Sequence, residues 1–278
     1  MEIGQQPMMQ SQEIKIEPST SLIIKLSSYG VTLVVSDNLG NIIEFNHKQF
    51  KEFVEDSYLT ENLELFIKES DINISNISNV ELIVCNKLSS IVPKNLFEEK
   101  LSLDYLKFNS KLLKDDYPAN DIIEEIGAVN VYLPYVNVNN YIIEKFGSFN
   151  YYHYSTILIK KLIKHNSSRD LALYANIELN NFQVLILKNR KLIYYNNFDI
   201  IEKEDILYFI LFVMEQNKID CNNYKLLLLG DIRKESDTYK LLKKFINNIE
   251  IMDFIEINKS KTKNIDNNSK VDYLLIWE

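Results

Sequence analysis

The chain has 278 residues, 46% of them hydrophobic and 25% charged, which is the composition of a folded soluble protein. Its formal net charge of −8 disfavours a nucleic-acid partner, because a phosphate-binding surface needs an excess of Lys and Arg. No apolar run reaches the roughly 18 residues of a membrane-spanning helix, and residues 1–18 lack the basic start and apolar stretch of a secretory signal.

The first part of the chain predicts a three-stranded meander, then a helix and a buried strand. Ile14 and Ile16 alternate with Lys15 and suggest a short edge strand before the meander. Strands are predicted at residues 21–26, 31–35, 41–45 and 80–85, and a helix with Leu59, Leu63, Phe66 and Ile67 on one face and Ser57 or Thr60 as its N-cap.

The middle of the chain predicts short strands and helices in alternation. A helix is expected at residues 94–100 after Pro93. Residues 103–108 fit a helical turn or a strand, and residues 121–126 fit a strand or a short helix. Further strands are predicted at residues 129–133 and 149–152, and helices at residues 138–146, closed by Gly147, and 153–165.

The last part of the chain predicts the same order of elements as the first. Its helix at about residues 202–216 is apolar nearly all round, which predicts burial on more than one side. Strands are predicted at residues 171–177, 182–187, 192–195, 225–229, 251–257 and 271–277, a second helix at 237–247, and a polar Lys- and Asn-rich loop at 258–270.

The two halves correspond with an offset of roughly 150 residues, too long for a solenoid repeat. Residues 21–45 correspond to residues 171–195, and residues 80–85 to residues 224–229. Each half has a meander, a helix and a strand that must join the sheet in parallel through a crossover. We predict an α/β protein of two lobes, residues 1–167 and 168–278, each with a mixed sheet flanked by helices.

Several short segments resemble a known family. They are S-I-V-P-K-N-L-F at 90–97, V-N-V-Y-L-P at 129–134, H-Y-S at 153–155, Y-N-N-F at 195–198 with Glu204, Asp205 and Tyr208, and L-G-D-I at 229–232. In these the chain is similar to a Bacteroidetes family catalogued only as a domain of unknown function. Members have an actin-like ATPase fold, two ribonuclease-H-like lobes related by duplication. The resemblance implies this fold over residues 20–255, but no activity.

The resemblance also implies a place for a nucleotide, which in the wider actin-like superfamily lies between the lobes. The first hairpin turn of each lobe holds the phosphates, with Gly for close approach and Asp for Mg²⁺. In this chain the first turn has no carboxylate, the second has no glycine, and the adenosine turn has one glycine instead of a pair. The candidate nucleotide-binding residues are Ser27, Ser28, Gly30, Thr32, Glu178, Asn180, Gly230 and Asp231, with no catalytic and no metal-binding residue.

Other kinds of active site find less support in the sequence. A ribonuclease-H-type nuclease needs an acid on its opening strand, and residues 22–26 contain none. His153 is expected to be a packed, hydrogen-bonded histidine rather than a base, and Cys85 a core residue rather than a nucleophile. Asp231 follows a buried strand and is either a ligand-binding residue or a helix N-cap or turn residue.

The sequence therefore predicts a binding or scaffold protein of actin-like fold, with no enzymatic activity and no cofactor. We expect an unidentified protein partner and, by analogy with relatives in pilus assembly and secretion, a peripheral link to a membrane protein. The two cysteines, Cys85 and Cys221, are far apart, and two lone thiols are typical of a reducing compartment, so we expect a cytoplasmic location. The alternative is a nucleotide-dependent switch or weak ATPase that uses ATP and Mg²⁺.

Overall fold

The computed structural model describes residues 20–107, 112–113, 116–166, 170–220, 223–252 and 275. The edge strand predicted around Ile14 and the loop predicted at residues 258–270 lie outside these residues, as do Cys221 and most of the strand predicted at 251–257. The strand predicted at 271–277 also lies outside them, except for Leu275, which is helical.

The described residues form thirteen strands, six α-helices and four short 3₁₀ turns. The strands are β1 (Thr20–Ser27), β2 (Gly30–Ser36), β3 (Ile42–Gln49), β4 (Ile77–Cys85), β5 (Ser89–Pro93), β6 (Ala119–Ile123), β7 (Ala128–Tyr132), β8 (Asn150–His153), β9 (Ala172–Ile177), β10 (Asn181–Lys188), β11 (Lys191–Asp199), β12 (Leu226–Gly230) and β13 (Ile249–Ile251). The helices are α1 (Asp56–Glu69), α2 (Ser102–Lys107), α3 (Val136–Phe146), α4 (Tyr154–His165), α5 (Lys203–Gln216) and α6 (Asp237–Phe245).

Two five-stranded mixed sheets have the same strand order, β3-β2-β1-β4-β8 in the first and β11-β10-β9-β12-β13 in the second. In each, an antiparallel meander continues into two parallel strands. This confirms the predicted architecture of mixed sheets flanked by helices. A third, antiparallel sheet has the order β5-β7-β6. The lobe boundary predicted between residues 167 and 168 stays a prediction.

The first sheet is covered on one face by α1 and α3. Leu22, Ile24 and Leu26 alternate along β1 and pack in one cluster with the apolar residues of these helices. The four residues predicted as the inner face of α1 are its buried residues. The N-cap prediction was wrong, because the helix begins at Asp56, after Glu55, upstream of both Ser57 and Thr60.

Helix α4 lies between the two large sheets. Its buried residues Leu158, Ile159 and Leu162 belong to one cluster with Val34 and Ile83 of the first sheet. The same cluster contains residues of the second sheet and, from the end of the chain, Leu275. The two sheets therefore share a hydrophobic core built around one helix.

Helix α5 packs against both the second sheet and α6, in agreement with the predicted burial on more than one side, but its outermost face is exposed. Ile206, Ile210 and Val213 pack against the sheet. Tyr208 and Phe212, on the opposite face, are 62% and 42% exposed. Apolar residues all round a helix predict burial, but the sheet and α6 together cover only part of this one.

The helix predicted at residues 94–100 was also wrong. This stretch forms two 3₁₀ turns, Lys94–Leu96 and Glu99–Leu101, and the α-helix begins at Ser102. Residues 119–126 form a strand and then a 3₁₀ turn, which combines the two alternatives left open for this stretch. Among the residues described, no helix is long and apolar enough to cross a membrane.

Candidate functional site

The candidate site is a small cavity where the two large sheets meet near the N-terminus of α4. It offers about 10 Å³ of space to a water molecule, which is enough for about one water. Sites for small molecules usually have volumes of roughly 300–1,000 Å³. The cavity is lined by Cys85, Asn86, His153, Tyr154, Ser155, Glu178, Asn181, Gln183 and Asn197.

A lysine–glutamate pair joins the two sheets beside this cavity. Lys25 Nζ on β1 lies 2.5 Å from Glu178 Oε1, just after β9, and the two side chains are only 14% and 20% exposed. The same ammonium lies 4.1 Å from the centre of the Tyr154 ring, where a cation–π interaction adds to the attraction. A second pair between the sheets, Lys87 with Asp199, is half exposed and contributes less.

The candidate residues of the first hairpin are engaged within their own sheet. Ser27 Oγ accepts the Tyr29 N–H and donates to the Gly30 carbonyl. The Ser28 carbonyl accepts the Val54 N–H. The Ser27 hydroxyl and the Ser28 backbone therefore have partners in the fold itself.

Gly30 and Thr32 are likewise explained by packing. A Cβ at Gly30 would lie 2.9 Å from the Lys48 carbonyl oxygen, so the neighbouring strand requires a glycine here. Thr32 is the cross-strand partner of Lys25, and its hydroxyl is hydrogen-bonded to His47 Nδ1 at 2.9 Å. Thr32 therefore lies next to the lysine on the sheet face that points towards α4.

The candidate residues of the second sheet meet at the ends of β9 and β12. The Asn180 carbonyl accepts the Ile200 N–H, whereas the Glu178 carboxylate reaches across to the first sheet. Gly230 has φ of +83°, and a Cβ there would lie 2.0 Å from the Ile177 carbonyl oxygen. That same oxygen accepts the N–H of Asp231, which is exposed. Asp231 is a turn residue in this structure.

The N-terminus of α4 carries a chain of hydrogen bonds that reaches the second sheet. The Ser155 N–H donates to His153 Nδ1, so the ring proton is on Nε2, which faces the Asn86 carbonyl at 3.1 Å. Tyr195 on β11 donates to Ser155 Oγ at 2.6 Å, and that oxygen lies 2.8 Å from His153 Nδ1. Burial lowers the pKa of His153 to about 4, so the ring is neutral at pH 7. The expectation of a packed, hydrogen-bonded histidine is confirmed.

A buried carboxylate ties the third sheet to the same helix terminus. Asp121 Oδ2 accepts the His153 N–H at 2.8 Å and the Thr156 hydroxyl at 2.7 Å, and Oδ1 accepts the Tyr132 hydroxyl at 3.1 Å. Desolvation raises the pKa of Asp121, and these three donors oppose that rise. A carboxylate at this position also interacts favourably with the positive end of the helix dipole.

The arrangement is suited to holding the sheets together. Among the described residues there is no group of three or more His, Cys, Asp or Glu that could bind a metal ion. The Ser155 hydroxyl is engaged on both sides and only 2% of the residue is exposed. Three buried amide oxygens around this helix terminus have no described partner, namely Asn130 Oδ1, Asn176 Oδ1 and Asn197 Oδ1, and Asn197 lines the cavity. A water in the cavity would satisfy a buried acceptor of this kind.

Sequence reasoning missed the residues that join the sheets. Lys25 is a single charged residue in the otherwise apolar strand 22–26, an exception that could have indicated a partner in a second sheet. Ser155 and Tyr195 lie within segments that carried the family resemblance, but their pairing depends on a separation of 40 residues. Asp121 had no signal, because its partners come from two other segments of the chain, Tyr132 on β7 and His153 with Thr156 at the start of α4.

The strand order of the two large sheets, with one helix packed between them, defines an actin-like ATPase fold. A crystal structure from Bacteroides thetaiotaomicron, of a protein with this fold and unknown function, is similar over 91% of this chain and 99% of that chain (TM-score 0.73, 22% identity). The PilM–PilN type IV pilus biogenesis complex is similar over 85% of this chain and 89% of its own (TM-score 0.58, 12% identity). At these identities the similarity establishes the fold alone.

The chain belongs to the family described as protein of unknown function (DUF3822), whose model matches residues 9–249. No protein with a curated function matches this sequence. The predicted resemblance is therefore confirmed, and so is the predicted fold.

Proposed function

We propose that the protein is a non-catalytic binding protein whose sheets are joined by its own side chains where relatives of the fold hold a nucleotide. The observation that carries this proposal is the ion pair between Lys25 and Glu178, at 2.5 Å, between the two candidate phosphate-binding hairpins. A nucleotide bound there would have to displace the pair and widen a cavity that has room for about one water.

The chemistry of the hairpins supports the same proposal. The first hairpin offers no carboxylate for Mg²⁺, and its Gly30 is placed against β3. The second hairpin contains Glu178, but that carboxylate is directed to Lys25. Neither turn offers a set of free N–H groups and acids of the kind that holds a metal–phosphate group.

A protein is the partner class that we propose. One structural neighbour belongs to the PilM–PilN type IV pilus biogenesis complex, and by analogy this chain would also act by holding a partner. The same proposal includes a peripheral link to a membrane protein and a location in the cytoplasm. A pull-down from the native cell would identify the partner.

A nucleotide-dependent switch is the second candidate, and one observation favours it. Lys25 stands between the two hairpins, and once released from Glu178 its ammonium could contact a phosphate. Opening of the sheets would then be coupled to nucleotide binding.

Thermal unfolding with and without Mg-ATP separates the two candidates. A ligand at a hundred times its Kd stabilises a protein by about 2.7 kcal/mol, which for a chain of 278 residues raises Tm by about 5 °C. We expect no shift for the wild type with Mg-ATP, Mg-ADP or Mg-GTP. The E178Q variant, which takes the Glu178 carboxylate away from Lys25, tests whether the Lys25–Glu178 ion pair bridges the sheets and excludes a nucleotide.

A rise in the Tm of the wild type with any of these nucleotides would contradict the proposal and favour the switch. A rise in E178Q alone would show that the bridge is what excludes the nucleotide. Release of phosphate from ATP by the wild type, measured in parallel, would establish an ATPase.

A further inference from the structure

Helix α5 presents an exposed aromatic ridge that nothing in the candidate site uses. The ridge consists of Glu204, Tyr208, Phe212 and Glu215, which follow one another at helical spacing on α5, and Ile201 lies just before the helix. Ile201 is 89% exposed, and Tyr208 and Phe212 are the exposed aromatic residues of the helix. Large apolar side chains that lie together on a surface mark a site of interaction.

The aromatic part of the ridge is supported from below by a row of rings. The Tyr208 and Phe212 rings are nearly parallel, 18° apart in orientation with centroids at 6.2 Å. Tyr208 meets Phe209 edge to face, Phe209 stacks on Phe198 at 4.5 Å, and Phe198 contacts the fully buried Phe182. The ridge is thus held in place before any partner binds, which lowers the entropic cost of binding.

The ridge is acidic at both ends. Glu204 precedes Tyr208 by one turn and Glu215 follows Phe212 by three residues, and both acids are exposed. In the described part of the chain neither forms an ion pair. Lys203, the single basic residue in the sequence of α5, is paired with Asp237 on α6. Aromatic faces flanked by carboxylates suit the charged ends and aliphatic stems of Lys and Arg.

A second copy of this chain fits the ridge poorly. If two copies of α5 packed along their ridges, either parallel or antiparallel, Glu204 and Glu215 would face the same two acids. Like charges in contact across an interface cost free energy, and the formal net charge of −8 adds to the repulsion.

We propose that the ridge docks a basic amphipathic helix from another protein, an inference that rests on the proposed binding function. Glu204 and Glu215 are 11 positions apart, which corresponds to about 16 Å along the helix axis. The partner carries two Lys or Arg residues at this separation, with aliphatic residues between them to cover Tyr208 and Phe212. In this helix-on-helix contact the ridge recognises the partner by its apolar side chains and by the two basic residues near its ends.

The proposal is tested with labelled model peptides and the full-length protein. The first peptide is a designed amphipathic helix with Leu on one face and Lys at two positions 11 residues apart. The second has Glu in place of Lys, and the third has the first composition in scrambled order. Binding is followed by fluorescence anisotropy for the wild type, Y208S/F212S and E204Q/E215Q.

Two matched control variants test whether peptide binding depends on the ridge itself or only on net charge and exposed aromatic side chains in general. The variant Y58S removes a tyrosine that is 58% exposed on α1. The variant E52Q/E61Q removes two exposed acids elsewhere, with the same change in net charge as E204Q/E215Q.

We expect the Lys peptide to bind the wild type, with affinity reduced about tenfold or more in Y208S/F212S and about threefold or more in E204Q/E215Q. Both controls should remain within about twofold of the wild type. The proposal is overturned if the Lys peptide does not bind, if the Glu or scrambled peptide binds equally well, or if the controls lose as much affinity as the ridge variants. It is also overturned if sedimentation shows a dimer that Y208S/F212S converts to a monomer.

The Mg-ATP titration is run on the same ridge variants. The peptides test the ridge and the nucleotide tests the cavity, so the two outcomes are independent. If the Lys peptide does not bind, the interpretation of the cavity is unaffected. If a nucleotide binds, the proposed function is contradicted, but the result of the peptide experiment still stands.

Discussion

The ion pair between Lys25 and Glu178 should be among the strongest single contacts between the two large sheets. Exposed pairs contribute about 0.2–1 kcal/mol, whereas removing one partner of a fully buried pair costs about 3–5 kcal/mol. Side chains that are 14% and 20% exposed lie nearer the buried limit. We expect K25M and E178Q each to lower the free energy of unfolding by about 2–3 kcal/mol, because each removes the ion-pair partner of a largely desolvated charge.

The double variant K25M/E178Q should be much more stable than the sum of the two losses predicts. With both charges removed, neither is left desolvated, so a coupling energy of about 2 kcal/mol is expected from the double-mutant cycle. For a chain of 278 residues, 1 kcal/mol corresponds to about 2 °C in Tm. Each single variant should therefore melt about 5 °C below the wild type, and the double variant about 6 °C below it rather than about 10 °C.

Calorimetry of the four proteins at pH 7 measures the cycle, with the Lys94–Glu124 pair as a matched control. Its Nζ–Oε1 distance of 2.6 Å is nearly the same, but its side chains are 49% and 68% exposed. The control cycle should give a coupling of about 0.5 kcal/mol or less. If the Lys25–Glu178 coupling is no larger than that of the control, the pair does not hold the sheets together and the argument from burial is refuted.

Two further predictions concern Gly230 and His153. G230A should lower Tm by about 5 °C or more, because its Cβ would lie 2.0 Å from the Ile177 carbonyl oxygen. The control G127A also has a positive φ, +60°, but no atom lies within 4 Å of the new Cβ, so it should lower Tm by only about 2–4 °C. Equal losses in the two variants would show that the close contact at Gly230 relaxes. The pKa of His153 is lowered from its ordinary value of 6.5 to about 4, so the unfolded chain binds the proton first, and stability is fully present above pH 6.5 and is lost as the pH falls from 6.5 to 4. Melting curves of the wild type and H153Q across that pH range should show that the stability of the wild type relative to H153Q decreases as the pH falls. A difference that does not change with pH would contradict the burial of His153.

Much of the fold could be predicted because local patterns determine it. The alternation of Leu22, Ile24 and Leu26 is sufficient to orient β1, and the spacing of Leu59 and Leu63 gives the inner face of α1. The surroundings of α5 could not be predicted in this way. The sequence shows that the helix is apolar nearly all round. How much of its surface is buried depends on the strands and the helix that pack against it, which are distant in sequence.

The candidate site was harder to predict than the fold for the same physical reason. Hairpins and glycines can be recognised in the sequence, whereas the groups that occupy the space between the sheets are paired over long separations, as Lys25 with Glu178 shows. A motif such as the first hairpin therefore predicts a position in the fold, and the partners of its side chains decide what that position can do.

Gly30 shows that a glycine in such a motif can have a purely structural reason. The neighbouring strand leaves no room for a side chain, with the Lys48 carbonyl 2.9 Å from the place of a Cβ. Selection for a well-formed hairpin alone would retain this glycine, whether or not an anion ever approaches it. In proteins of this architecture, a glycine in the leading turn is thus weak grounds for inferring a triphosphate ligand, and the acids around it are more informative.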